Sequence, residues 1–435
     1  MANILLVGKY SVIEPLGLMF LAGALKEDGH SVGIHLIEDP DSSALIHKAH
    51  DDNNYEYLAF SVYTGYHNMM FRKASVLRDG NFKIIMGGPH MTYFGNNCLD
   101  KADWIVAGEG LRSIRNICSG KVKHGYVFIP YLVREDCIPM PDRKSLYLDL
   151  RFRDNKIKNV ITSIGCYYNC SYCWSSEYRQ LYKENFKVRQ RPVSQVIEEC
   201  LEVKSYPCEL IFFQDDAFAP KIDWLNKFAN KYKSKINIPF HCQMRPEMVT
   251  EDRLKLLKYA GCHGITIAVE TANDEVRKNL LNRDGDLSKI YAACRLIKDY
   301  GFKLRTEQML GLPCTTIENE LDLLHFNTSI NPDIAWVSIF SPFCGTRLGD
   351  YCKENGLYDG NNNDLSDSFF ANSRLNFDKE RLRKTNFLQK IFTTCAKIPD
   401  GHVLAKSVLE SNDYAFDNWF NKMKNHLYDN CLYKV

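Results

Sequence analysis

From Lys158 to about residue 340, short apolar runs recur with amphipathic helical stretches between them, and this alternation constrains the fold more than any other feature of the chain. The strand-like runs lie near 160–164, 209–213, 238–243, 264–269, 304–310 and 334–340. Strand–helix–strand crossovers wind right-handed, so such units curl the sheet, and six of them stop short of the eight that close a barrel. The expectation is a partial (β/α)6 TIM-like barrel over residues 158–350. After Gly345 the alternation ends, and the polar, Asn-rich stretch Asp359 to Asp367 reads as loop. Leu382, Leu388, Ile391, Phe392 and Cys395 then recur at helical spacing, which predicts a small, mostly helical C-terminal cap over 351–435.

Ahead of the barrel the pattern is shorter-ranged. Asn3 to Gly8 reads as a strand, Leu16 to Leu25 as a helix closed by Gly29, and Ser31 to Ile37, Tyr57 to Val62, Phe82 to Met86 and Trp104 to Val106 as further strands. This predicts a Rossmann-like open parallel α/β sheet over residues 1–137. Two prolines within Ile138-Pro-Met-Pro-Asp142 disfavour helix and central strand, so 138–157 reads as a linker. Open α/β sheets bind ligands beyond the carboxyl ends of their strands. Those ends carry Gly8, Ser61 to Gly65, Gly87-Gly88-Pro89-His90 and Gly108-Glu109-Gly110, so a large flat ligand can approach the backbone there.

A chain of 435 residues exceeds one core, and its 45% hydrophobic and 25% charged residues are those of a globular protein. Lys plus Arg (55) nearly balance Asp plus Glu (53), so charge singles out no polyanionic partner, and no basic and aromatic track favours nucleic acid. The first residues lack a basic signal region, and Leu16 to Leu25 is too short to span a bilayer, so a cytoplasmic protein with no transmembrane segment is expected. The 16 cysteines then point to reduced thiols and metal ligation rather than a disulfide framework.

Three of them, Cys166, Cys170 and Cys173, share one loop directly after the first barrel strand. Three thiolates leave one iron of a four-iron cluster open to a ligand, whereas a structural zinc wants four closed ligands from paired half-motifs, and no second pair is present. This C-x3-C-x2-C loop, with Tyr172 just before its last cysteine, resembles the signature of the radical S-adenosylmethionine (SAM) superfamily. The resemblance implies a [4Fe-4S] cluster whose open iron is chelated by the amino and carboxylate groups of SAM. Reductive cleavage of the sulfonium would then yield a 5′-deoxyadenosyl radical.

Other segments are similar to that family at later strand ends. Gln214-Asp215-Asp216 resembles the segment near the methionyl amine, with Asp215 or Asp216 orienting it, or else serving as a helix-capping pair. Gln243, Arg245 and Glu270 look like the next two strand ends, where Arg245 and Glu270 would bind carboxylate and ribose or would instead form structural ion pairs. Leu310-Gly311-Leu312-Pro313 resembles the adenine-side turn, with Leu312 against the base.

The first domain carries a second resemblance. Pro15-Leu16-Gly17-Leu18, Gly87-Gly88-Pro89-His90 and Gly108-Glu109-Gly110 are similar to the cobalamin-binding domain fused to many radical SAM enzymes. That implies cobalamin contacts from Gly8, Pro15, Leu16, Gly17, Ser61, Thr64, Gly65, Gly87, Gly88, His90, Gly108, Glu109 and Gly110; the alternative is an α/β domain that only packs on the barrel. Asp28-Gly29-His30-Ser31-Val32-Gly33 mimics the motif by which other cobalamin proteins ligate cobalt, but His30 follows the helix instead of preceding it. The loop Lys9 to Pro15 has no histidine, so no His ligand to the lower face of cobalt is expected.

Together these features imply a cobalamin-dependent radical SAM methyltransferase acting on an unreactive carbon. One SAM would methylate cobalt and a second would supply the radical. Cyclisation, rearrangement or oxidation without methyl transfer is the competing enzymatic reading, and a non-catalytic cobalamin carrier or sensor the non-enzymatic one. Flavodoxin or ferredoxin is the expected electron donor. Small metabolites, lipids, tetrapyrroles and peptides all remain open as substrate, with Ser341 to Thr346 bordering its space.

Overall fold

The computed structural model describes residues 1–38, 54–78, 82–365, 368–370 and 372–411. Part of the expected Asn-rich loop and of the C-terminal cap, residues 366–367 and 412–435, lies outside the described residues. By its contacts the chain divides into two compact units. One comprises residues 1–160, 177–207 and 362–367; the other comprises 161–176, 208–361 and 368 onward.

The first unit is built on β1 (Asn3–Lys9), β2 (Ser31–Ile37), β3 (Tyr57–Ser61), β4 (Lys83–Gly87), β5 (Trp104–Ala107) and β6 (Gly125–Phe128). All pairings are parallel, in the order β2-β1-β3-β4-β5-β6. Side chains alternate across a strand, so Ile4 and Leu6 enter one core with Met19, Leu25 and Val106, while Leu5 and Val7 enter another with Leu58, Phe60 and Met86. A sheet buried on both faces reads as near-continuous apolar runs, which is why its strands were legible. The sixth strand, Gly125–Phe128, was not expected: at four residues, with Tyr126 exposed, it carries little apolar signal. The order reverses direction between β1 and β3, and such a switch point opens a crevice for ligand at the carboxyl edge. The stretch expected as a linker holds two short helices, Arg143–Leu146 and Leu150–Arg153, capped by the side chains of Asp142 and Asp149.

A second six-stranded sheet contains β7 (Ile157–Val160), β10 (Leu210–Phe213), β11 (Phe240–Met244), β12 (Cys262–Glu270), β13 (Lys303–Leu310) and β14 (Ile334–Ile339). β8 (Ser163–Ile164) and β9 (Arg189–Gln190) are two-residue strands outside it. β10 to β14 run parallel and in sequence order, the half-barrel expected from the alternation. Their helices start and stop on local signals. Thr250 caps Glu251–Ala260, which ends at Gly261 in a left-handed turn, and Thr316 with Asn319 forms a capping box for Ile317–Ile330. Lys379–Cys395 and Gly401–Ser411 supply the described helices of the C-terminal region. Among the described residues no helix is long and apolar enough to cross a membrane.

Candidate active site

The cysteine loop follows β8 and is held from two directions. Ser171 donates its amide to Leu281 O at 3.1 Å and its hydroxyl to Leu280 O at 2.5 Å, and its carbonyl accepts the amide of Leu348 at 2.9 Å. Cys170 is buried, while Cys166 and Cys173 are partly accessible. Arg245 places Nη1 3.5 Å from Cys170 Sγ, and Arg283 places its Nη1 3.9 Å away. Two guanidinium ions on one buried thiol suit an anionic, thiolate-held cluster. Burial, and behind it the charge of Asp216, pushes the Cys166 thiol up to about 12 and raises that of Cys173. Such thiols stay protonated until a cation takes the proton's place. Among the described residues no three His, Cys, Asp or Glu side chains gather as ligands of a single ion, whereas the three thiolates that hold a four-iron cluster each bind a different iron and need not converge on one point.

The acidic pair at the end of β10 divides its work. Asp215 is fully buried and accepts the Thr162 amide at 3.0 Å, the Thr162 hydroxyl at 2.7 Å and the Ser163 hydroxyl at 2.6 Å, so it anchors the chain entering the cysteine loop. Burial pushes its carboxyl up to about 6 despite those donors. Asp216 is exposed and accepts from Ser175 Oγ at 3.0 Å, which leaves it open to a ligand. Gln214 and Gln243 are half-buried at their strand ends, and Gln243 O accepts the Phe218 amide at 2.8 Å. Arg245 stacks its guanidinium 4.1 Å over the Tyr168 ring and pairs with Glu247 at 3.2 Å.

Glu270 ends β12 with φ +67°, where the register with β13 shifts. A left-handed non-glycine residue costs about 1–3 kcal/mol and persists only where its surroundings over-determine it. Here Glu270 Oε1 accepts from Tyr172 Oη at 2.6 Å and Arg283 Nη1 at 3.2 Å, while Arg283 also donates to Tyr172 Oη at 2.9 Å and Ala268 O at 2.8 Å. Arg283 is the residue sequence reasoning missed. It lies in a turn, Asn282-Arg283-Asp284-Gly285, with no strand-end pattern to mark it. Leu312 is buried beside Gly311, whose amide donates to Glu320 Oε1 at 2.8 Å. Glu320 also accepts from Arg381 Nη2 at 2.5 Å, tying that turn to the C-terminal helix Lys379–Cys395. A cavity of about 350 Å³ opens beside Cys173, walled by Tyr172, Glu270, Glu307, Trp336 and Phe343, with Ser341 at its border.

At the carboxyl edge of the first sheet, Gly8 is the penultimate residue of β1, Ser61 closes β3 and Gly87 closes β4. Pro15, Leu16 and the exposed Gly17 open the helix Leu16–Glu27, and Gly110 opens Gly110–Cys118. Gly88 has φ +99°, and a Cβ there would meet Val62 N and O at 2.8 Å. Gly108 has φ +73°, and its Cβ would lie 2.3 Å from Tyr182 Oη. Glu109 is engaged on all sides: its amide donates to Tyr182 Oη at 2.7 Å, and its carboxylate accepts from Val133 N at 2.7 Å and from Arg189. His90 is buried, contacts Thr64 Oγ1 at 3.0 Å and stacks on His67 at 4.0 Å. Burial, then the charge of His67, pushes it down to about 3, so it is a neutral ring. Gly65 donates its amide to His67 Nδ1 at 3.3 Å. His30 Nδ1 accepts the amide of Ala2 at 3.1 Å, at the opposite, amino end of β1 and β2.

Residues 160–326 match the model of the radical SAM superfamily, and residues 3–117 match that of the B12 binding domain. The chain is a radical SAM enzyme carrying a B12 binding domain. The cofactors of this class are a [4Fe-4S] cluster, SAM and cobalamin. The enzyme is 26% identical over 372 residues to an uncharacterized methyltransferase of Pyrococcus horikoshii, across 79% of each chain. Its fold is similar to that of the radical SAM methyltransferase TsrM from Kitasatospora setae, with a TM-score of 0.66 and 16% identity over 82% of this chain and 76% of that one. It is also similar to the cobalamin-dependent SAM radical enzyme OxsB, with a TM-score of 0.68 and 16% identity over 100% of this chain and 73% of that one.

Proposed function

We propose that this enzyme methylates an unactivated carbon, with Cys166, Cys170 and Cys173 holding the cluster. The observation that carries this reading is the group of Tyr172, Glu270 and Arg283 packed against Cys170 and opening on the cavity beside Cys173. Asp216 and Gln214 are suited to the methionyl amine of SAM, and Arg245 to its carboxylate. Glu270, set by Tyr172 and Arg283, suits the ribose, and the Gly311–Leu312 turn suits the adenine. Gln243, near the end of β11, is suited to a further polar contact with SAM. When bound, the cluster supplies the electron that splits the sulfonium, and cobalamin carries the methyl group. The residues' own part is to orient SAM and to keep water from its reactive end, which the apolar wall of Trp336 and Phe343 assists.

The glycine-lined edge of the first sheet is the surface for cobalamin, with His90 and Glu109 shaping it rather than ligating cobalt. Methyl transfer is favoured over other radical chemistry by the methyltransferase among the enzyme's relatives. The substrate is a small metabolite, lipid, tetrapyrrole or peptide, the reductant a flavodoxin or ferredoxin, and the location the cytoplasm. The test is to incubate anaerobically reconstituted full-length enzyme with cobalamin, a low-potential reductant and SAM bearing a deuterated methyl group. Cobalamin-dependent S-adenosylhomocysteine alongside 5′-deoxyadenosine is the expected result. 5′-Deoxyadenosine alone would leave a radical enzyme without methyl transfer.

A further inference from the structure

The cavity beside Cys173 lies wholly within the second unit, and its composition bears on the substrate. Of the groups suited to SAM, Tyr172 and Glu270 border it, whereas Asp216, Gln214, Arg245 and the Gly311–Leu312 turn do not. Most of the wall comes instead from β13, β14 and the residues after β14. At about 350 Å³ it stands at the lower end of the roughly 300–1,000 Å³ that small-molecule sites span. One small substrate, or the tip of a larger one, fills it.

Its charges are of one sign. Glu270 and Glu307 are the charged side chains on the wall, and among the described residues no Lys, Arg or His lines it. Glu270 is answered from behind by Tyr172 and Arg283. Glu307, in the middle of β13, has Arg305 as its only ion-pair partner among the described residues, at 2.7 Å, and keeps 25% of its side chain accessible. Arg305 stands one pleat earlier on the same face of the strand, off the cavity wall, with its guanidinium 5.3 Å over the Trp336 ring and its Nε buried without a partner. Burial raises the Glu307 carboxyl above the ordinary carboxylate range, and Arg305 offsets that only in part, so a second cation beside it is stabilising. The rest of the wall is rich in aromatic rings, among them Trp174, Trp336, Phe340, Phe343 and Phe369. Carboxylates repel an anion, while a carboxylate among ring faces attracts a positively charged nitrogen through a charge-assisted hydrogen bond and through the ring quadrupoles.

We infer that the substrate presents a protonated amine to Glu307 and an apolar body to the rings of Trp336 and Phe343, an inference that rests on the SAM-dependent reading above. The test is isothermal titration of anaerobically reconstituted full-length enzyme at neutral pH, with saturating SAM and no reductant. The probes are benzylamine, its neutral counterpart benzyl alcohol, and the anion benzoate. Wild type is expected to bind benzylamine roughly tenfold more tightly than benzyl alcohol, and benzoate least of the three. In Glu307→Gln the preference for the amine over the alcohol disappears.

Equal binding of amine and alcohol to wild type overturns the inference, as does a preference that survives in Glu307→Gln. Benzoate binding best would assign recognition to Arg305 and equally overturn it. So would benzylamine that binds only when SAM is absent, since the cavity would then belong to SAM itself. Should Glu307→Gln fail to fold, Glu307→Asp carries the charge on a shorter arm and is expected to show a weakened preference; an undiminished one overturns the inference. Wild type that binds no SAM defeats the reading above and this inference with it. Wild type that cleaves SAM on reduction yet shows no amine preference defeats this inference alone.

Discussion

The cysteine loop and the carboxyl edge of the first sheet are two polar regions organised in opposite ways. At the loop, charged groups converge with open valences: Asp216 is exposed, Arg245 and Arg283 crowd one buried thiol, and Glu270 is held in a left-handed conformation. At the sheet edge the polar groups answer one another, Glu109 with Arg189 and Val133, His90 with Thr64, and the backbone comes close because glycine permits it. The first arrangement suits a charged, reactive ligand that must be oriented to within a fraction of an ångström. The second suits a large neutral ligand recognised by shape.

The sharpest way to separate the two is Cys170→Ala. Iron content and 5′-deoxyadenosine formation are expected to fall to background, while hydroxocobalamin titrates as in wild type; a parallel loss of cobalamin binding would break the distinction. Next in size is Arg283→Met, which leaves the Glu270 carboxylate buried beside Tyr172 without its cation. Removing one partner of a buried pair costs about 3–5 kcal/mol, so thermal unfolding should show a large loss that Arg283→Lys partly restores. A loss near the value of surface pairs, below about 1 kcal/mol, would mean that water reaches the pair. The smallest effect belongs to the sheet edge. Gly108→Ala must accommodate a left-handed φ and a contact with Tyr182 Oη, at about 1–3 kcal/mol. Weaker cobalamin binding with undiminished SAM cleavage is the expected signature, and a matching drop in cleavage would count against separate roles.

Local signals made much of the molecule legible. Three cysteines in eight residues after a strand mark a candidate cluster loop, and strands buried on both faces stand out as apolar runs. Asp215 and Asp216 show where local reading stops. Adjacent and chemically identical, they could not be told apart until the fold put one beneath the Thr162–Ser163 hydroxyls and left the other open. Arg283 shows the same limit from the other side. Its partners Tyr172 and Glu270 lie 111 and 13 residues away, and nothing in its own turn foretells them.

By itself, then, the sequence determined the order of elements, the cysteine loop and the glycines at the strand ends, because spacing and backbone freedom are properties of neighbouring residues. Tertiary structure alone decided which carboxylate is an anchor and which arginines face the thiol. Those outcomes depend on desolvation and on contacts between residues far apart in the chain, and neither quantity exists until the strands are assembled.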